Sequence, residues 1–367
     1  PPQGPLRSSG RGPVSTGMVL FYDPNQNMFR VAFSYKYTVA ELVVCKSEFW
    51  LFCSMHLASV VVFRTMGQHE ERSNILYLPW GLLGIVVSLT TFFLLFYTNH
   101  CFHRYIQLYG YTRDLLMKLV ELVQELRIRI PNAERQARIA GARRTTMRYA
   151  VLSIYLFFFF MSRREVSDTE FSLLHNSGIL REVEMNWLKR YPGSCHSIVL
   201  DWLLGVAGLA LQSQRNKYLR NFAAIAAGIR QEQIQVEDAV NLPLPYQYFQ
   251  IMNLMLFTNF SMWAYGMGMY DSWIASFIFV CSLLIFLGMK ELSSCLSDPF
   301  GDDAVDFPLN RWIEESWRAA HFFLESDCPD VTMDPRNFED APPLWQGKSD
   351  MNVYLDMEEL EQGWGDN

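Results

Sequence analysis

The sequence predicts an all-α membrane protein, with a layer of membrane helices and a large helical layer outside it. Two observations carry that prediction. Several uncharged stretches are each as long as a hydrocarbon core, and no alternating apolar and polar run is long enough for a strand. Half of the 367 residues are hydrophobic and 15% are aromatic, a composition weighted toward membrane proteins.

The uncharged stretches run from Ile75 to Tyr97, from Leu242 to Tyr270 and from Ser272 to Met289. A helix crosses the hydrocarbon core in roughly 20 residues, so each is sufficient. A fourth, Phe49 to Phe63, is shorter and lies between Lys46 and Glu48 on one side and Arg64 on the other. It spans if those long side chains snorkel. The predicted spans are therefore 47–64, 75–99, 244–267 and 272–290. Four spans put both termini on one side. The arginine-rich connection from His103 to Val240 marks that side as cytoplasmic.

Between the second and third spans the helical signals continue. Leu115, Leu119, Leu122 and Leu126 recur at helical spacing, which extends the second span into water until "IPN" at Ile130–Asn132 stops it. A helix pair is predicted from Ala133 to Met161, and its run "YAVLSIYLFFFFM" is too short to span and reads as buried in the soluble layer. A polar patch follows, then two apolar-faced helices in "LDWLLGVAGLALQ" and "YLRNFAAIAAGIR". Beyond Pro308 an amphipathic helix, 308–325, offers Trp312, Trp317 and Phe322 for packing.

Residues 1–20 are rich in Pro, Gly and Ser and read as a flexible arm or linker. The chain does not begin with Met, as expected of a processed product or one piece of a longer polypeptide. Residues 21–325 form the body, and 326–367 read as an acidic extended tail that supplies most of the net charge of −7. Seven cysteines show no framework spacing and are expected to be buried reduced thiols. Nothing in the charge pattern points to nucleic acid.

Three stretches bear on function. In the second span Ser88, Phe92 and Phe96 are spaced by four and share one helical stripe, with Thr91, Leu95 and Asn99 on the adjacent one. Such a stripe faces lipid, a neighbouring helix or, in an oligomer, a pore. Phenyl rings set edge-on around an axis favour anions, because the ring edge is positive. "NHCFHR" places His100 and His103 about one turn apart, which opens the reading of a polytopic membrane enzyme with an intramembrane base. Two histidines are a weak zinc signal, and the spans hold no acid to serve with them apart from Glu48 near an end. Finally, "SDPFGDDAVDF" at Ser297–Phe307 concentrates acids just past the last span, either as a solvated loop with Asp306 capping the next helix, or as a cation site.

Five motifs in order identify a family resemblance: "SEF" at Ser47–Phe49, "FYTNHCFHRY" at Phe96–Tyr105, "RRTTMRYA" at Arg143–Ala150, "LPLPYQ" at Leu242–Gln247 and "DPFGDDAVDF" at Asp298–Phe307. Over about Tyr35 to Leu324 the chain resembles the bestrophins, oligomeric anion channels. The resemblance implies a homopentamer with four membrane helices per subunit around one pore, passing chloride and other small monovalent anions such as bicarbonate. Neck positions fall on Ser88, Phe92 and Phe96. Ser88 stands where an aliphatic residue is usual, which implies a wider, wetter upper neck.

A lower constriction falls in "RNKYLRNF", on Leu219, Arg220 or Phe222. A calcium clasp would take side-chain oxygens from Asp303 and Asp306 and carbonyls from Cys295, Asp298 and the region of Asp23, although Ala304 and Val305 replace acids of the family's run. Some members of the family are fused to light-sensing modules, so an upstream sensor is a further expectation. No catalytic residue and no organic cofactor are implied. A non-conducting membrane scaffold is the other reading that the residues leave open.

Overall fold

The computed structural model describes residues 38–66, 80–130, 137–163, 165–211, 215–242, 245–270, 272–301 and 305–325. Among them are eleven helices and no strand. The chain divides into two compact units, Pro1–Leu324 and Glu325–Asn367. The N-terminal arm, the acidic tail, Asp23, Asp303 and Cys328 lie outside the described residues.

A short helix α1 (Val39–Val44) leads into α2 (Ser47–Met66). Helix α3 (Trp80–Arg129) is one unbroken run of 50 residues and ends where Pro131 follows. Helix α4 (Ala137–Arg163) is single, where a helix pair from Ala133 was expected. The expected break has no chemical basis, because no proline or glycine pair interrupts residues 142–163.

The expected polar patch is instead two short helices, α5 (Asp168–Asn176) and α6 (Glu182–Leu188). Ser167 starts α5 by a capping box, its hydroxyl accepting from the Glu170 N–H while the Glu170 carboxylate accepts from the Ser167 N–H. There follow α7 (Cys195–Leu211), α8 (Arg215–Asn241), α9 (Tyr246–Gly268), α10 (Trp273–Ser297) and α11 (Leu309–Glu325). The Ser272 hydroxyl caps α10 by accepting from the Ile274 N–H at 3.3 Å.

Two cores organise these helices. The first gathers α1, α2, α9, α10 and the N-terminal half of α3, through Phe49, Phe52, Leu94, Tyr97, Phe260 and Phe279 among others. The second gathers the C-terminal half of α3 with α4, α7, α8 and α11, centred on Leu115, Leu119, Leu122, Phe157, Leu203 and Phe222. On the far side of α4, Leu152 and Leu156 pack on Phe171 and Leu174 of α5. Each fully buried Leu or Phe contributes roughly 1.5–3 kcal/mol, so α3 is held from both ends.

Three described stretches are long and apolar enough to cross a membrane: Leu83–Arg129, Gly141–Ser162 and Trp273–Ser297. Burial separates them. The apolar window of the middle one is 67% buried inside the protein, against 22% for each of the other two, so α4 is a core helix as its short run suggested. Helices α2 and α9 do not reach that apolarity, since α2 carries Glu48 and Arg64 and α9 carries Gln247, Gln250, Asn253 and Asn259. They nonetheless complete the first core.

The six described cysteines form no disulfide with one another; among them only Cys101 is buried, while Cys45 is exposed. On α11, Trp312 and Trp317 pack against the second core as expected, but Phe322 is exposed.

His196 sits inside the second layer, with Phe157 and Phe160 at ring-centroid distances of 5.4 and 5.8 Å. Burial, and then the positive charge of Arg230, push its imidazole down to about 4 from 6.5. The unfolded chain thus binds a proton first, so stability is complete above pH 6.5 and falls as pH drops toward 4. The loss is on the order of 3 kcal/mol. His196→Phe is expected to flatten that part of the pH profile of thermal unfolding; an unchanged acid slope would show that His196 is not its source.

Candidate pore face and calcium clasp

Along the N-terminal half of α3, burial follows the helical period. Leu94, Tyr97 and Cys101 face the first core, while Phe92 is 63% and Phe96 57% exposed, with Ser88 exposed above them. The structure therefore brings the three neck candidates together on one face. Helix α9 braces that face: Tyr248 meets Phe96 edge-to-face at 6.0 Å and donates its hydroxyl to the Phe93 carbonyl at 3.1 Å. The Ser88 hydroxyl donates to the Gly84 carbonyl at 2.8 Å, so its proton is already engaged on its own helix.

The lower candidates behave differently from one another. Phe222 is fully buried in the second core, Leu219 is half-buried against it, and Arg220 alone is exposed. A side chain with no exposed surface cannot present itself to an axis, which removes Phe222 as a constriction residue in this fold.

At the end of α10 the chain turns through Pro299–Gly301 and returns at Val305. Asp306 is buried, at 3% exposure, and its Oδ2 lies so close to Gly301 that a β-carbon there would meet it at 2.9 Å. The Asp298 carbonyl lies 4.0 Å from the same point. Gly301 thus leaves a cradle toward which a buried carboxylate oxygen and a backbone carbonyl converge, a hard-oxygen pair of the kind calcium takes. The Cys295 carbonyl accepts from the Asp298 N–H at 3.4 Å, one step back along the same turn. Among the described residues no group of three or more His, Cys, Asp and Glu side chains is placed for a metal. Asp306 lies three residues before α11 and so is not its N-cap.

This turn is tied directly to α3. Tyr105 donates its hydroxyl to the Val305 carbonyl at 2.8 Å, and its ring packs on Phe307 at 4.9 Å. Burial, and then the negative charge of Asp306, raise the Tyr105 phenol above its ordinary value. Phe307 continues the stack to Phe300 and to Trp312 of α11, with Arg113 of α3 over the Trp312 ring at 5.6 Å.

The model of the bacterial and fungal bestrophin protein matches residues 21–319. The chain belongs to the bestrophin family. Solved structures agree in fold: a bacterial bestrophin homologue from Klebsiella pneumoniae aligns with a TM-score of 0.64 at 16% identity, over 76% of this chain and 98% of that one. A mutant of the same homologue gives the same values. A structure of a membrane protein variant gives a TM-score of 0.65 at 16% identity, over 77% and 100% of the two chains. No curated protein matches the sequence.

As a bestrophin with exposed apolar helices, the chain is an integral membrane protein of a channel family. The enzyme reading of His100 and His103 gains nothing from the geometry. Glu48, the acid it would need, is 2.8 Å from Lys290, and Lys46 is 3.2 Å from Glu291, so these charges pair where α2 starts and α10 nears its end. Sequence reasoning missed His56, which is buried in the first core. Its Nδ1 lies 3.2 Å from the Ala264 carbonyl, its Nε2 2.9 Å from the Ser276 hydroxyl, and its ring stacks on Phe279 at 4.6 Å. A carbonyl only accepts, so Nδ1 carries the proton and pins α2 to α9. A lone histidine inside an apolar run was the available signal. Tyr105 and Tyr248 were missed as well, since nothing local marks which tyrosine bridges two elements.

Tyr105→Phe keeps the ring and removes the bond to Val305, so it is expected to lower unfolding stability by about 1 kcal/mol. Tyr105→Ala also removes the packing and is expected to lose about 3 kcal/mol or more. Equal thermal stability of the wild type and both variants would show that the turn is not held to α3 by this residue.

Proposed function

We propose that the chain is one subunit of a homopentameric anion channel that passes chloride and other small monovalent anions, bicarbonate among them. Helices α2, α9, α10 and the N-terminal half of α3 cross the membrane, and the second layer and both termini lie in the cytoplasm. The observation that supports this reading most is the Ser88–Phe92–Phe96 face, whose two aromatic rings stay more than half exposed although Tyr248 packs against Phe96. One helix cannot enclose a pore, but a ring of five can. Positive ring edges of Phe92 and Phe96 then favour anions without a fixed charge, and the dry walls limit water. Arg220 is the remaining candidate for a lower ring with fixed positive charge, with Leu219 beside it.

Calcium is proposed as the gating ligand, held by the Asp306 carboxylate and the carbonyls of Asp298 and Cys295, together with Asp303 and the region of Asp23. When bound, it supplies the positive charge that stabilises closely spaced oxygens. The chain's own residues carry the coupling. Asp306 and Val305 are consecutive, Tyr105 holds Val305, and Tyr105 shares α3 with Phe96 at a separation of nine residues, about 13 Å along the helix. A ligand shifts such a gate only by its difference in affinity for the two states.

Phe92→Ala with Phe96→Ala is expected to change single-channel conductance, or the permeability ratio between anions, by about threefold or more in a reconstituted bilayer. Unchanged conductance and selectivity would contradict the neck placement. Asp306→Asn is expected to abolish the response of the current to micromolar calcium, while an intact response would overturn the clasp.

A further inference from the structure

We propose that Asn99 and His103 form a donor level at the inner mouth of the neck, a second selectivity element that receives the anion as it leaves the aromatic rings. The inference rests on the pore reading of α3. On a helix turning by about 100° per residue, Ser88, Phe92, Phe96, Asn99 and His103 all fall within about 40° of the Phe92 direction, while His100 lies about 80° round. Both Asn99 and His103 are exposed. They follow Phe96 by about 4.5 and 10 Å along the axis.

The second observation concerns which polar groups are available. The hydroxyls near the neck are turned back on the backbone of α3: Ser88 donates to Gly84, Thr91 to Val87 and Thr98 to Leu94, each at 2.8 Å. Arg104, the nearest cation on the helix, is turned away, donating to the Val240 carbonyl at 2.7 Å. Asn99 and His103 have no hydrogen-bond partner among the described residues. They are the first side chains past Phe96 on that face with N–H groups to offer.

An anion in an aromatic neck has lost much of its hydration and is met only by weakly positive ring edges. The amide N–H groups of Asn99 and an imidazole N–H of His103 can replace part of that shell on the way out, as donors do in other selectivity elements. Strongly hydrated anions such as chloride gain most from such donors and weakly hydrated ones such as thiocyanate gain least. The two histidines of "NHCFHR" then have different roles: His103 faces the ion and His100 does not.

The test is a set of bi-ionic recordings on the whole protein in planar bilayers, with Phe92→Ala as reference. Asn99→Asp keeps the shape and puts a ring of carboxylates on the path, so the chloride-to-potassium permeability ratio should fall at least about tenfold. Asn99→Ala with His103→Ala should raise the thiocyanate-to-chloride ratio about threefold. His103→Gln, which retains a donor, and His100→Ala should both stay at the wild-type ratio. If Phe92→Ala alters selectivity while the Asn99 and His103 variants match the wild type, the donor level is wrong and the neck stands. Should Phe92→Ala leave selectivity unchanged, the pore reading falls and this inference with it. A His100→Ala effect as large as that of the double variant Asn99→Ala with His103→Ala would also overturn the assignment.

Discussion

The 50 residues of α3 form one unbroken helix that belongs to two hydrophobic cores at once. At about 1.5 Å per residue it is roughly 75 Å long, far more than a bilayer requires. Its buried stripe runs from Leu94 and Tyr97 into Leu115, Leu119 and Leu122 without interruption, because the apolar period is kept across the change of layer. The opposite face is thereby fixed as well. Once one side of the helix is committed to the cores, Phe92 and Phe96 stay more than half exposed, and such an aromatic stripe calls for lipid or another subunit as cover.

The other constraints act at the ends of elements. Lys46 with Glu291 and Glu48 with Lys290 pair α2 to α10 at one boundary of the first layer, while His56 pins α2 to α9 and α10 within it. Such pairs are individually weak when exposed, so they locate the helices more than they stabilise them. The turn after α10 brings a buried carboxylate, Asp306, and an aromatic stack against α3. Tyr105 is a contact that ties that turn to α3, through its bond to the Val305 carbonyl and its packing on Phe307.

Much of this was readable from the residues, for physical reasons. Long uncharged runs and the leucine period of residues 115–126 depend only on local pattern, and both survive in α3, α9 and α10. The run from Tyr149 to Met161 was correctly read as buried in protein because its length and flanking arginines argue against lipid, although its composition alone would suit a span. What pattern could not supply was pairing. Phe222 and Phe322 both look like exposed or packing aromatics on amphipathic helices, yet the first is fully buried and the second faces outward. The choice depends on which helices pack against each. The short helices α5 and α6 were missed because a polar surface hides a few buried anchors, such as Phe171, Leu174 and Leu188. Of the candidate clasp residues, Asp306, Asp298 and Cys295 fall among the described residues, and the first two converge on Gly301.

The central claim is that the aromatic face of α3 lines an anion-selective path. The most direct measurement is the reversal potential of purified protein in a planar bilayer under a potassium chloride gradient. The account predicts a current that reverses close to the chloride equilibrium potential. A reversal at the potassium equilibrium potential, or a bilayer that stays silent with and without calcium, would contradict it.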